Sequence, residues 1–355
     1  MRLLLVFYLY SSLTSYIFSF NITDLADCRI SDFGTLKEKL IDDTHSCDLK
    51  YLYHICNWRN LSRLYFEEHS LTALPRHFLW NCHNLTDLYL SGNKIKKIAR
   101  DAFDKLTSLA YLDLSNNQIK RLHEDTFKPL KELEYLLLQQ NNIQVIDSNL
   151  FNHNTKIFRL YLNNNDLRII GDGAFRMIPT LGSLDISSNR HLKSIDLTNI
   201  SRGGSVLKDL SVNLSNCTLK KLFIPMNVVE LSVCRNHITS INAHPNNRLK
   251  VLNLDNNHLS TILHLKLPYL TQLLIGRRNR ISISDTYGFK QLTYLNFDLN
   301  SKQNINITEI GKNLPLLQDV FITSTDMSTE QQTRIINDFK QYNVYCYVDT
   351  CFDYE

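Results

Sequence analysis

The chain has 355 residues, 43% of them hydrophobic and 21% charged, which is too apolar for a disordered chain and long enough for a sizeable core. Its 39 Lys and Arg against 35 Asp and Glu leave a net charge of +4, too near balance for an electrostatic nucleic-acid binder or a polybasic membrane binder. Ten Gly and seven Pro exclude a collagen-like or Pro-rich chain, and eight Cys are too few for a disulfide-dense mini-scaffold but enough for four bridges.

Residues 1–20 read as a secretory signal peptide. Arg2 supplies a positive start, Leu3 to Leu9 an apolar core, and Ser and Thr dilute the stretch after Leu9. The apolar core falls far short of the ~20 residues that a spanning helix needs. Cleavage is expected near Ser19 to Asn21, with an uncleaved anchor as the alternative. No later stretch is apolar enough to span a membrane, and the acidic, polar end VDTCFDYE excludes a GPI tail. The expected product is secreted and extracellular, where disulfides persist. Seven N-x-S/T sequons, at Asn21, Asn60, Asn84, Asn199, Asn213, Asn216 and Asn306, agree with export.

Residues 21–60 precede the periodic region and are expected to cap its open end. They hold Cys28, Cys47 and Cys56, and Thr35 to Asp43 has the pattern of a short amphipathic helix. Cys56 sits one coil-length before Cys82, which favours pairing these two and pairing Cys28 with Cys47. A Cys47–Cys56 link is the main alternative, since spacing does not fix connectivity.

From Leu61 to residue 327 the pattern L-x-x-L-x-L-x-x-N-x-L recurs twelve times. Clear copies are LTDLYLSGNKI from Leu85, LAYLDLSNNQI from Leu109, LEYLLLQQNNI from Leu133 and IFRLYLNNNDL from Ile157. Other copies start at Leu61, Leu181, Leu207, Val228, Leu249, Leu270, Leu292 and Leu317. This resembles the leucine-rich repeat family over about three quarters of the chain. The resemblance implies an α/β solenoid, a curved horseshoe with a parallel concave sheet.

Each fixed position has a physical reason. The x-L-x-L-x segment alternates with period 2, so it forms a short strand with its Leu pointing in. One coil cannot bury its own leucines, so neighbours must stack. The Asn column, Asn93, Asn117, Asn141, Asn165, Asn189, Asn236, Asn257 and Asn300, can serve backbone groups where the chain leaves the strand. Phe103, Phe127, Phe151 and Phe175 recur eighteen residues after each start and are expected as an aromatic spine, with Phe78 one residue out of step.

The repeats before Leu181 are uniformly 24 residues long, whereas most of those after Leu207 have 21 or 22 and lack the Phe. Ser215, Arg278 and Thr325 take the Asn position in three of them, and Ser201 to Ser205 marks the junction. Cys217 and Cys234 lie in adjacent repeats at different positions, so either a bond in irregular geometry or a free thiol fits. Residues 328–355 read as a C-terminal helical cap. It begins with a capping box from Ser328 to Gln331 and ends in Cys346 and Cys351, expected to pair.

Residues between the leucines face the concave side, where no packing role claims them. In the first repeats these include Arg63, Tyr65, Glu67, Asp87, Tyr89, Tyr111, Asp113, Tyr135, Leu137, Arg159 and Tyr161. Clustered Tyr and Arg at exposed positions have the composition of a recognition surface. Later concave positions, among them Ser183, Asp185, Asp209, Ser211, Glu230, Asn253, Asp255, Gln272, Asn296 and Asp298, are small, polar or acidic. A glycan on Asn213 would obstruct that stretch, so the N-terminal half is the expected binding site.

No H-E-x-x-H, C-x-x-C or G-x-S-x-G appears, and the twelve His are scattered. Asp113 and Asp185 share a column but stand about 14 Å apart, beyond the ~5–9.5 Å of glycosidase carboxylate pairs. No catalytic residue, cofactor or metal is therefore expected. Arg277 to Arg280, RRNR, reads as a solvated turn, with a sulfated-glycan or phosphate contact as the alternative.

Signal peptide, uniform 24-residue repeats, Phe spine and helical cap together make the chain similar to extracellular animal repeat proteins. Among these it resembles the short soluble members of the insect leucine-rich immune proteins. That resemblance implies binding of complement-like thioester proteins or other immune factors. The longer members carry a C-terminal coiled coil and an interchain cysteine pair; the coiled coil is missing here, which argues for a monomer or weak oligomer. An extracellular-matrix or adhesive role, or a receptor-like ectodomain similar to the Toll receptors, is the alternative reading.

Overall fold

A computed structural model describes residues 61–67, 70–200, 208–299, 305–324 and 327–349, together with the backbone of the short strands Leu4–Val6, Ile17–Ser19 and Asp27–Arg29. Leu4–Val6 and Ile17–Ser19 pair antiparallel. The expected helix at Thr35 to Asp43, the segment Ser201 to Ser205, Asn21, Asn60, Asn300, Thr325, Cys47, Cys56 and Cys351 lie outside the described residues, as does the side chain of Cys28.

Fourteen strands form one parallel sheet in strict chain order, from Asp27–Arg29 to Tyr345–Asp349. Strands of the regular half are three residues long, because only the x-L-x core of each repeat extends before the Asn turn. Their central leucines align in register, Leu88 with Leu112, Leu136, Leu160 and Leu184, and all are buried. A buried Leu contributes roughly 1.5–3 kcal/mol, and here each is covered only by the coils on either side. Small parallel sheets such as Val145–Ile146 with Ile169–Ile170 mark the return path.

The Asn column ties each coil to the one before it. Asn141 Nδ2 donates to Leu114 O at 2.9 Å and Leu138 O at 3.1 Å, while its Oδ1 accepts from Ile119 N at 2.9 Å. Asn93, Asn117, Asn165, Asn189, Asn236 and Asn257 repeat this arrangement, each buried. Phe103, Phe127, Phe151 and Phe175 stack with centroids 6.1–6.2 Å apart and form the spine of the opposite side.

Two sequence phases slip after the junction. Leu184 pairs with Val212, not Leu210, so the coil starts two residues later than its leucines suggest. Cys217, rather than Ser215, therefore stands in the Asn column, and its thiol reaches Ile186 O at 3.6 Å. In the coil of Arg278 a bulge between Leu274 and Gly276 delays the turn by one residue. Asn279 takes the column role, donating to Leu254 O at 2.9 Å and accepting from Leu259 N at 3.0 Å. Gly276, at φ +53°, permits the bulge: a Cβ there would lie 1.8 Å from Asp255 Oδ1, which accepts from Arg277 N. The RRNR segment is thus the turn of this bulge.

The C-terminal helix Thr329–Lys340 opens with the expected capping box, Ser328 and Gln331 each serving the other's backbone N–H. A shorter helix, Ile307–Asn313, is capped by Asn306. Cys82 is disulfide-bonded to a partner outside the described residues. Of the two alternatives for Cys217 and Cys234, the free thiol holds for both, because Cys217 turns into the core column while Cys234 sits half-buried past its strand. The expected pairing of Cys346 is corrected. Cys346 is also free, because it takes the inward position of the last strand, opposite Val320, rather than bridging the tail.

Candidate functional site

The residues flanking each central Leu fall into two columns. Register places Arg63, Asp87, Tyr111, Tyr135 and Arg159 in one, and Tyr65, Tyr89, Asp113, Leu137 and Tyr161 in the other. The tyrosines do not stay in their columns. Tyr65 stacks on Tyr89 at 4.4 Å and 11°, Tyr89 tilts toward Tyr111 at 4.8 Å, and Tyr111 meets Tyr135 at 5.9 Å. Tyr135 ends edge-on against Phe158 at 6.5 Å. Five rings thus form a diagonal ladder across five coils.

Two cations close the ladder at Phe158. The Arg159 guanidinium lies 5.7 Å from the Tyr135 centroid and 5.9 Å from that of Phe158, and Lys208 Nζ lies 6.0 Å from Phe158. Such contacts are attractive because the ring face is electron-rich. Sequence reasoning missed Phe158 and Lys208: Phe158 sits one residue before its strand, outside the alternating set. The signal was Gly182 in the next coil, where a Cβ would lie 2.3 Å from the Phe158 ring.

Burial pushes the hydroxyls of Tyr89 and Tyr111 up to about 12, helped at Tyr89 by Tyr65 and Asp87 and at Tyr111 by Asp113 and Glu67. Glu67 lies just beyond its strand and accepts from Ser91 Oγ at 2.8 Å, and Arg63 approaches Asp87 at 3.6 Å. Tyr161 stays outside the ladder, between Leu137 and Asp185 in its column.

Asp113 departs from the expectation of side chains without packing duty. It is buried, its carboxyl accepts from Ser115 N at 2.8 Å, and desolvation raises its pKa. Asp185, Asn213 and Asn253 close their own strands in the same way, accepting from the N–H two residues on.

The later face also differs from the sequence reading. Asp209 lies outside the strand and pairs with Arg248 at 2.8 Å, and Asp255 lies past its strand. The last coils add Tyr294, Phe321, Tyr345 and Tyr347 to a face that was expected to be plain. Asn213 does lie on the face, half-buried, with Nδ2 3.3 Å from Asp185 Oδ2. Asn84 and Asn306 are exposed, and Asn199 and Asn216 are half-buried.

Comparison with known proteins agrees with this geometry. The family model described as leucine rich repeat matches residues 83–143 and 131–190. Among solved structures, the LRIM1/APL1C complex superposes with a TM-score of 0.62 at 22% identity, over 77% of this chain and 55% of that one. The APL1 leucine-rich repeat domain gives 0.59 at 23% identity, over 77% of this chain and 78% of that one. The leucine-rich repeat domain of APL1B gives 0.54 at 23%, over 72% and 73%. No curated protein matches in sequence. The protein is a leucine-rich-repeat solenoid. In fold it resembles the insect leucine-rich immune proteins, although it spans little more than half of the chain matched in the LRIM1/APL1C complex. Among the described residues no helix is long and apolar enough to cross a membrane.

Proposed function

We propose that this protein is a secreted recognition scaffold that binds a protein partner through the N-terminal half of its concave face. The supporting observation is the ladder from Tyr65 to Phe158 with Arg159 and Lys208 at its end. Five aromatic side chains held half-exposed on a rigid sheet offer large contact area at low conformational cost, as interface hot spots do. The ring faces are largely turned to one another, so edges and hydroxyls are what a partner meets. That arrangement suits hydrogen-bonded protein contact better than stacking of a sugar or base.

The immune setting rests on the fold likeness. One neighbour is a complex between two proteins, LRIM1 and APL1C, and a partner that is itself an immune factor fits the same use of the fold here. The test is capture from the source organism's extracellular fluid by wild type and by a Tyr89, Tyr111 and Tyr135 triple alanine variant. A protein retained by the wild type and lost by the folded variant is the expected outcome. Equal capture by both rejects this surface.

A further inference from the structure

Away from the ladder, the stack brings together two imidazoles from different coils. His237 and His258 directly follow the column residues Asn236 and Asn257, so they occupy equivalent positions one rung apart. Their backbones are pinned: His237 N donates to Leu219 O at 3.0 Å and His258 N to Ile238 O at 2.9 Å. Both rings are exposed and lie nearly parallel, 4° apart with centroids at 5.6 Å. Nδ1 of His237 and Nε2 of His258 share a hydrogen bond of 3.5 Å, one facing nitrogen donating and the other accepting according to tautomer.

That separation matches a shared ion. Two nitrogens bound at ~2.0–2.1 Å to one tetrahedral ion stand about 3.4 Å apart. We propose that His237 and His258 form a two-imidazole site for a transition-metal dication such as Zn²⁺, Cu²⁺ or Ni²⁺. Imidazole nitrogen suits these ions, whereas Mg²⁺ and Ca²⁺ require oxygen ligands. On binding, the donor ring of the pair moves its proton through solvent to its outer nitrogen, so that each ring gives the ion the lone pair of its facing nitrogen. The terminal His torsion is broad, so exposed rings turn both lone pairs toward one ion at little cost. The coil spacing and the backbone hydrogen bonds fix the two imidazoles on adjacent rungs before the ion arrives, and only the rings need turn.

Among the described residues no third His, Cys, Asp or Glu completes a cluster with this pair. The remaining positions on the ion fall to water or to a donor from a bound molecule. The three-residue cluster His77, Asp101 and Asp104 is a poorer candidate. Arg76 already holds the Asp101 carboxylate at 2.8 Å. His77 also turns different nitrogens to its neighbours, Nε2 toward Asp101 at 3.9 Å and Nδ1 toward Asp104 at 3.5 Å.

The test is calorimetric titration of the tag-free protein with Zn²⁺, Ni²⁺ and Cu²⁺, alongside His237→Ala, His258→Ala and His77→Ala. One ion per chain is expected, with affinity reduced at least tenfold in either of the first two variants and unchanged in the third. Cu²⁺ electron paramagnetic resonance of the wild type should show two imidazole nitrogens, a readout independent of any variant's folding. Absence of binding, equal affinity in all four proteins, or loss in His77→Ala alone overturns the assignment.

Discussion

Asn141 joins two coils through one side chain, donating to Leu114 O and Leu138 O and accepting from Ile119 N. Alanine there strands the buried Ile119 N–H and removes one of the two Asn donors from each of Leu114 O and Leu138 O, which keep Asn117 and Asn165. Asn141→Ala should therefore lower the unfolding free energy by roughly 2–4 kcal/mol in chemical denaturation. A change under ~0.5 kcal/mol, the scale of an ordinary surface substitution, would show that the column carries no such load. The column was legible in the sequence wherever repeat length stayed constant. It was misread at Cys217 and Asn279, because a two-residue slip and a bulge are backbone events that no leucine count reveals. Cys217 shows the consequence. Its thiol lies in the core column with its pKa pushed up to about 11 by burial, and Cys346 is pushed to about 12 for the same reason. At mildly alkaline pH an alkylating reagent should label half-buried Cys234 first, and Cys217 and Cys346 only on unfolding. Equal labelling of all three in the native protein would refute those placements.

The strands show where alternation informs and where it stops. Period 2 named the outward tyrosines correctly, because a residue's face follows from its parity along the strand. It did not say which rings touch, since Tyr65 and Tyr89 share one column while Tyr111 and Tyr135 share the other. Side-chain direction, not register, makes the ladder diagonal. Phe158 escaped for a related reason: it lies outside the strand and reaches the ladder only through the space left at Gly182. The ladder has a titration signature. An acid whose folded pKa is raised stabilises the fold fully below its unfolded pKa, near ~10 for Tyr, and that contribution is lost as pH climbs through the folded value. Tyr89 and Tyr111 titrate at about 12, burial being the main cause in both. In a spectrophotometric titration these two phenols should ionise after the exposed tyrosines, and stability should fall across the interval from ~10 upward. Replacing both by Phe should flatten that alkaline loss. An unchanged alkaline profile in the double variant would place the effect elsewhere.

A solenoid is held together by neighbour contacts alone, so its stability is approximately a sum over coils and the interfaces between them. This makes whole coils interchangeable in a way that parts of coils are not. Deleting residues 133–156 removes one complete 24-residue repeat and joins Glu132 to Ile157. Leu112 then meets Leu160 as it now meets Leu136, and Asn165 arrives where Asn141 stood to accept from Ile119 N. Phe127 faces Phe175 in place of Phe151, so the spine stays continuous. The shortened chain should fold cooperatively, with native-like circular dichroism and a melting temperature only a few degrees lower. Deleting residues 139–150 instead removes half a coil and brings Leu138 against Phe151, a strand position against a spine position. That variant should lose cooperative melting. The coil deletion also removes Tyr135 and leaves Tyr111 beside Arg159, so it should fold and yet bind the partner less well than wild type. Folding of both deletions alike would mean that the stack is held by something other than register. Full binding by the coil-deleted protein would mean that the ladder is not where the partner sits.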